Sequence, residues 1–488
     1  MITKSCVDSQ GDPVILKIYN TPSRRVEEFT PIEPGVVRMY GCGPTVYTYA
    51  HIGNLRAYVC QDILRRALGF FGYSVKYVMN VTDVGHLTGD DDSGDDKMVV
   101  SAREKKKTVW EIAEHYTDAF FVDVEKLNIA RPDTVCKATD HIPEMIALVK
   151  RLEDQGFTYV AGGNVYFDIS KFPRYGDFAG LKLDDLKAGA RIEKDPNKRN
   201  PLDFVLWFTS SKFGEQAMMW DSPWGRGYPG WHLECSAMSM KYLGEQFDIH
   251  AGGIDHVPVH HTNEIAQSEA ATGKTWVNYW FHNEFLVMAD GKMSKSSGTF
   301  TTLSALEAAG YDPLDYRYFL LGAHYRTQLQ FSETALAGAQ AGRRGLVERI
   351  SGIVRRAEHV QSVESGSDAG EYLAAFTEHI ANDLNTSRCL ADLWALVKDE
   401  DVPPREALRC IERMDSILGL GLLEQARAAD AADSDVTLSS EVEQLIRERN
   451  DARRRRDFAR ADSIRDDLLG RGIQLEDNPE GTRWKKLS

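Results

Sequence analysis

Val36-Val37-Arg38-Met39-Tyr40-Gly41-Cys42-Gly43-Pro44, then His51-Ile52-Gly53-Asn54-Leu55, then Ser74-Val75-Lys76-Tyr77-Val78-Met79-Asn80-Val81 form the stretch whose reading decides the fold. Val36 to Tyr40 is a short apolar run that reads as a strand, and the Gly-Cys-Gly-Pro run breaks it. Between Leu55 and Phe70 the apolar residues Val59, Ile63, Leu64, Ala67 and Leu68 recur at helical spacing, and Gly72 suits a helix stop. Ser74 to Val81 then reads as a buried strand. Strand, glycine-rich turn, helix and strand make the repeating unit of a doubly wound parallel sheet, so the fold class is α/β and Rossmann-like. His51 falls at the helix N-terminus, where free backbone N–H groups and the macrodipole favour phosphate. Gly53 permits close approach of a ligand. A lone histidine there would serve equally well as a helix cap or a packed ring.

A second stretch selects among these readings. Gly291-Lys292-Met293-Ser294-Lys295-Ser296-Ser297-Gly298 puts two lysines and several hydroxyls on a glycine-flanked loop. Lysine is a mobile point charge on a flexible stem, and placed cations lower a barrier where charge develops on a leaving phosphate. A solvated surface turn is the ordinary meaning of K-x-x-K; the five-residue string K-M-S-K-S is far more specific. His51 and Gly53 upstream, with Lys292 and Lys295 downstream, make the two halves of a nucleotide-triphosphate site.

A third constellation is chemically distinct. Cys42 precedes His51. Cys235 lies in Pro229-Gly230-Trp231-His232-Leu233-Glu234-Cys235, and His260-His261-Thr262-Asn263-Glu264 follows the Gly252-Gly253 turn. His260 and Glu264 are four residues apart and share a helical face. Two thiolates, an imidazole and a carboxylate suffice for zinc. The spacing alone leaves packed cysteines open, because free cysteine is commonly buried and no C-x-x-C pair is present.

Together these motifs resemble the class I aminoacyl-tRNA synthetases, whose signatures are H-I-G-H and K-M-S-K-S. The second signature is intact, and the first ends in Asn54, which can still donate a side-chain hydrogen bond. C-G-P-T-V-Y, P-G-W-H-x-E-C-S-A-M and H-H-x-N-E-I-A-Q-S resemble segments of the cysteinyl-tRNA synthetase family more narrowly. That resemblance implies one zinc ion held by Cys42, Cys235, His260 and Glu264 and receiving the substrate thiolate. His261 competes for the histidine position, with its Cβ pointing about 100° round a regular helix from His260. The resemblance also implies ATP as a substrate, with Mg2+, contacted by Lys295, His51, Gly53 and Asp255. It gives catalytic roles to His51, Asn54, Lys292 and Lys295, and substrate contacts to Thr82, Trp231 and His250. A metal is useful to such an enzyme because serine and cysteine differ by one atom, and apolar pockets separate such analogues only ~10–200-fold. A borderline-soft cation favours thiolate over neutral hydroxyl.

Organisation follows the motifs. Residues 1–100 and 226–330 form the nucleotide-binding domain with its signature loop, and 101–225 a connective insertion. Within the insertion, Asp203-Phe204-Val205-Leu206-Trp207 matches the family, but Phe208 stands where a lysine is usual. Residues 331–427 read as a helical bundle, which the resemblance implies grips the tRNA stem. A linker rich in Ala and Asp, 428–434, leads to a small module, 435–488, that resembles the family's anticodon-binding domain. There Arg447, Arg449, Arg453 to Arg456, Arg460 and Arg465, with Trp484, suit phosphate contact and base stacking. Acidic residues alternate with these arginines, as on a solvated face.

Composition narrows the rest. Hydrophobic and charged fractions of 42% and 27% over 488 residues are ordinary globular values. The net charge of −15 argues against a nucleic-acid partner only if local basic patches are ignored. Seven scattered cysteines fit a reduced, cytoplasmic protein better than a disulfide framework. No signal peptide or bilayer-spanning apolar run is evident, so no membrane partner is expected. The run 89–96 is acidic but fits no EF-hand frame, and reads as a solvated loop. The expected partners are tRNA(Cys), L-cysteine and ATP, with the chain a monomer. Two competing functions are a cysteine ligase acting on an amino sugar and a non-catalytic RNA-binding paralogue. The first would not need the anticodon module; the second would be expected to lose His51, Lys295 or the metal ligands.

Overall fold

The structure is a computed structural model that describes residues 12–85, 97–105, 107–180, 195–210, 218–288, 302–359, 368–471, 473–478 and 481–486. Its contacts divide the chain into two units, Met1–Gly345 with Ser365–Gly421, and Leu346–Glu364 with Leu422–Ser488.

The first unit is built on a five-stranded, wholly parallel sheet. Its strands are Val36–Gly41, Ser74–Val81, Thr134–Lys137, Phe247–Gly253 and Val277–Asn283. Numbered along the chain, their spatial order is 3-2-1-4-5, the doubly wound order. The strand order reverses between Val36–Gly41 and Phe247–Gly253, which pair directly through Ile249↔Met39 and His250↔Tyr40. Ligands of open α/β sheets bind beyond the strand ends at such a reversal. The helix Ile52–Phe70 starts there and buries Leu55, Val59, Ile63, Leu64, Ala67 and Leu68, the face expected from its periodicity.

The insertion carries a four-stranded antiparallel sheet, Thr158–Ala161, Asn164–Phe167, Phe204–Phe208 and Tyr228–Pro229. Phe208 is buried and stacks on Tyr228 with ring centroids 4.8 Å apart. An ammonium in place of that ring would need a partner for its charge. Helices Ala369–Ala381, Thr386–Lys398 and Pro404–Leu418 belong to the same unit. Arg317 is fully buried and joins them to the signature helix: its guanidinium pairs with Asp62 at 2.6 Å and donates to the carbonyls of Leu418 and Leu127.

In the second unit, residues 428–434, read from their composition as a linker, lie inside one continuous helix, Leu422–Arg454. Alanine favours helix, and the segment holds no glycine or proline to interrupt it. The helix ends near Arg456, which adopts φ 61°, and Asp457 caps Phe458–Gly470 by accepting from the Arg460 N–H at 3.1 Å. A hairpin, Ile473–Asn478 with Gly481–Lys486, completes the unit. Its small core is Val442, Ile446, Ile464, Leu468 and Ile473, and Trp484 is half-buried against it.

Candidate functional site

Glycine geometry at the sheet reversal lets a cysteine and a helix end approach one cavity. A Cβ at Gly43 would collide with the Asn80 carbonyl, so only glycine fits there. The Gly43 N–H is held by Asn80 Oδ1 at 2.8 Å, and the Cys42 N–H donates to Ala251 O at 3.0 Å. Cys42 is therefore pinned at the point where the two central strands end.

Four donor atoms converge there. One ligand atom each of Cys42, Cys235, His260 and Glu264 lie within 4.8 Å of one another, and all four residues are buried. Cys235 comes from the helix Trp231–Leu243, and Glu264 from the helix Thr262–Thr272. His260 Nε2 lies 3.1 Å from Glu264 Oε1, and His250 Nε2 lies 3.0 Å from Glu264 Oε2. Neither contact has hydrogen-bond geometry, and both Glu264 oxygens remain without a hydrogen-bond partner. A buried carboxylate with both oxygens lacking a hydrogen bond, amid two thiols and an imidazole, fits a ligand set better than a packed polar core. His260 presents Nε2 inward because its Nδ1 faces His232 Nδ1 at 3.0 Å. Partners of that kind orient the ring of a ligating histidine. The residues thus fit a cation of borderline softness.

The electrostatics agree. Burial alone would raise the Glu264 carboxyl, yet the His260 and His250 charges hold it well below the usual range. Burial would lower His260, but Glu264 pushes it up to about 10. Between the two thiols, burial opposes ionisation of Cys42, yet Cys235 and the charge of His250 hold it well below the usual thiol range. Cys235 is pushed well above that range by its interaction with Cys42 and by burial.

His261 is not turned away from the cluster as a regular helix would require. Val257–His261 is a π-helical turn, and its wider winding brings His261 Nε2 to 3.5 Å from Cys42 Sγ. Two other donor groupings consequently share members with the first: Cys42, His256, His260 and His261, and His250, His261 and Glu264. His261 Nδ1 lies 2.7 Å from His282 Nε2, and burial drives the His261 pKa down to about 3. His232, His256 and His282 join this cluster, and no sequence motif marks them as members. Alternation from Trp280 on its strand was the only signal for His282, and such a signal does not distinguish a core histidine from a functional one.

The signature helix completes the site. His51 is its N-cap: His51 Nδ1 accepts from the Asn54 N–H at 3.1 Å, and Asn54 Oδ1 accepts from the His51 N–H at 3.3 Å. The asparagine at the fourth signature position thereby closes a capping box and leaves His51 Nε2 free of that interaction. His51, Gly53, Asn54, Trp231, Asp255 and Cys42 all line one cavity of ≈ 1010 Å³. Trp231 covers His260, with ring centroids 4.2 Å apart. Thr82 and His250 do not line it. Thr82 is buried, receives the Asn80 amide at 3.0 Å and donates to Glu234 at 3.2 Å; His250 is fully buried and stacks on Trp280. Lys292, Lys295 and the acidic run 89–96 lie outside the described residues. The chain on either side of the lysine loop is tied to the signature helix by buried Arg56, which donates to the carbonyls of Phe285 at 2.5 Å and Thr327 at 2.6 Å.

Comparison with known proteins decides the family. The profile described as tRNA synthetases class I (C) catalytic domain matches residues 28–341, and that of the cysteinyl-tRNA ligase anticodon binding domain matches 435–484. The cysteine--tRNA ligase of Treponema denticola is 56% identical over 97% of this chain and 100% of its own length. The chain belongs to the cysteinyl-tRNA ligases. The enzyme of that name from Treponema pallidum is 47% identical over the same shares of the two chains. Among solved structures, Mycobacterium tuberculosis methionyl-tRNA synthetase bound by methionyl-adenylate matches with a TM-score of 0.54 at 18% identity, covering 80% of this chain and 91% of that one. That likeness establishes the class I fold. No described helix is long and apolar enough to cross a membrane.

Proposed function

We propose that this family member activates L-cysteine with ATP and transfers it to the 3′ end of tRNA(Cys), as a cytoplasmic monomer holding one zinc ion. The observation that carries the cysteine reading is the buried set Cys42, Cys235, His260 and Glu264, at the edge of the cavity that His51 and Asp255 also line. Zinc bound by these four residues supplies a position that prefers a thiolate to a hydroxyl. The remaining roles belong to the chain. Trp231 closes the amino-acid end of the cavity. The helix N-terminus at His51 offers N–H groups to the triphosphate, with Gly53 allowing close approach. Asn54 acts in this reading by capping the helix that presents His51. Asp255 faces the nucleotide, with Mg2+ accompanying ATP. Lys295, with Lys292, meets the charge that grows on the departing pyrophosphate. Thr82 and His250, buried off the cavity wall, act indirectly, Thr82 through Glu234 and His250 through Glu264.

Cysteine-dependent ATP–pyrophosphate exchange, repeated with serine, tests this directly. Serine is expected to be rejected by ~10⁴-fold or more, as for sites built around one specific polar contact. A ratio below about a hundredfold would mean that an ordinary pocket reads the side chain.

A further inference from the structure

Tyr49 stands two residues before His51, lines the same cavity, and yet is 47% exposed. Its ring is held in a fixed attitude. Tyr116 packs edge-on against it, with centroids 4.9 Å apart and planes at 90°, and the Tyr49 hydroxyl meets His115 Nε2 at 3.2 Å. Lys105 Nζ lies 5.9 Å from the Tyr49 centroid and 4.5 Å from that of Tyr116. Lys105 belongs to a basic run, and Arg103, Lys105 and Lys107 are all exposed. Of the acids nearby in sequence, Glu111 is engaged in capping the next helix with Thr108. An anchored aromatic ring beside clustered cations, on a chain of net charge −15, is a local departure from the whole-molecule field. Single-stranded nucleic acid is bound by that combination, bases stacking on the ring while lysines follow the phosphates.

We propose that Tyr49, supported by Tyr116 and flanked by Lys105 and His115, is the stacking platform for the single-stranded 3′ end of the tRNA as it enters the cavity. The proposal rests on the charging reaction proposed above. ATP could also bring a base to this ring. Its phosphates, however, are taken by the helix N-terminus at His51, and a mononucleotide leaves the basic run at 103–107 without a ligand. A strand with repeating base and phosphate uses both.

The test is a binding cycle at fixed salt. Affinity for a tRNA(Cys) transcript is measured with its single-stranded 3′ nucleotides present and removed, using wild type, Tyr49→Ala and Tyr49→Phe. Tyr49→Ala is expected to weaken binding of the intact transcript by about 5- to 150-fold, the range for loss of one base–aromatic stack. It should gain nothing from the 3′ nucleotides, whereas Tyr49→Phe should keep their benefit. Lys105→Ala should lower the salt slope by about 0.7. Independent, multiplying effects of truncation and Tyr49→Ala overturn the proposal, as does loss of the 3′-end benefit in Tyr49→Phe. A raised KM for ATP in Tyr49→Ala exchange, with tRNA affinity intact, assigns the ring to adenine and likewise overturns it. Wild-type exchange without tRNA reports separately on the charging function, so failure of that reading is distinguishable.

Discussion

Two regions of this chain are rich in charged and polar side chains, and they use them in opposite ways. At the sheet reversal, Cys42, Cys235, His260 and Glu264 are 7%, 1%, 2% and 0% exposed, and they come from three separate places in the sequence. In the C-terminal unit the arginines find acids three or four residues away: Arg454 with Asp451 at 2.8 Å, Arg471 with Asp467 at 3.1 Å, Arg465 with Asp462 at 3.5 Å. All of these partners are about half exposed or more. Exposed local pairs contribute ~0–1 kcal/mol. Groups desolvated together interact strongly, and stranding one of them costs several kcal/mol. Charged letters are much denser in the tail than around the four donors, so their number is not what produces chemistry. Burial and remote convergence are what make chemistry of the first.

That contrast can be broken at several points. Cys235→Ala should lower zinc, by elemental analysis, from about one per chain to a small fraction, because it removes one of the two thiolates among the four donors. Full retention would place the metal on another of the overlapping donor groups, and His261→Ala would then be the variant that loses it. Lys295→Ala should slow cysteine-dependent exchange by ~10²–10³ while leaving cysteine affinity nearly unchanged, if its charge acts on the developing pyrophosphate. Unchanged exchange would move that role to Lys292.

Asp62→Asn should lower unfolding free energy by about 3–5 kcal/mol, measured by denaturant titration, because it strands the buried Arg317 guanidinium. A loss below about 1 kcal/mol would mean that the carbonyls of Leu418 and Leu127 satisfy Arg317 by themselves. In the tail, replacing Arg455 and Arg456 by Ala should reduce the salt slope of tRNA binding by ~0.7–0.9 per lost phosphate contact. The same change at ion-paired Arg454 and Arg465 should do less. Equal slopes in all variants would make the tail a solvated face with no phosphate role.

The smallest effect belongs to Glu245, a partly exposed acid in the catalytic unit. Lys274 and Arg151 lower its pKa to about 2. Its contribution to stability is therefore present above the ordinary glutamate pKa of about 4.3 and fades as pH falls toward 2. Glu245→Gln should cost under ~1 kcal/mol at pH 7, matching the tail and not its own domain's interior. A larger loss would show that membership of the catalytic unit, not burial, sets the scale.

Much of the architecture was legible in the chain because it rests on local signals. The apolar periodicity from Leu55 to Phe70 and the Gly-Cys-Gly-Pro break announced the first strand–helix–strand unit, and the bundle helices showed through the same periodicity. The Ala/Asp segment at 428–434 misled because its low complexity looked like a linker, whereas alanine's helix propensity carries the helix through it. Trp484, expected as an exposed stacking surface, is half-buried on its own module's core; a hairpin's inward face is set by strand register, which the letters alone leave open.

By itself, then, the sequence determined which donors exist and how they are carried: a cysteine after a strand, another on a helix, a histidine and a glutamate four residues apart, a histidine at a helix N-terminus. Those are properties of neighbours in the chain. Only the tertiary structure decided that the first and fourth strands of the sheet lie side by side, that a π-turn swings His261 as well as His260 inward, and that His232, His256 and His282 join them. It also buried Thr82 and His250 off the cavity wall. The physical reason is that desolvation and mutual charge act through space. Residues far apart in sequence can be pressed into one dry cluster by the packing of strands and helices, and no local pattern of letters records that distance.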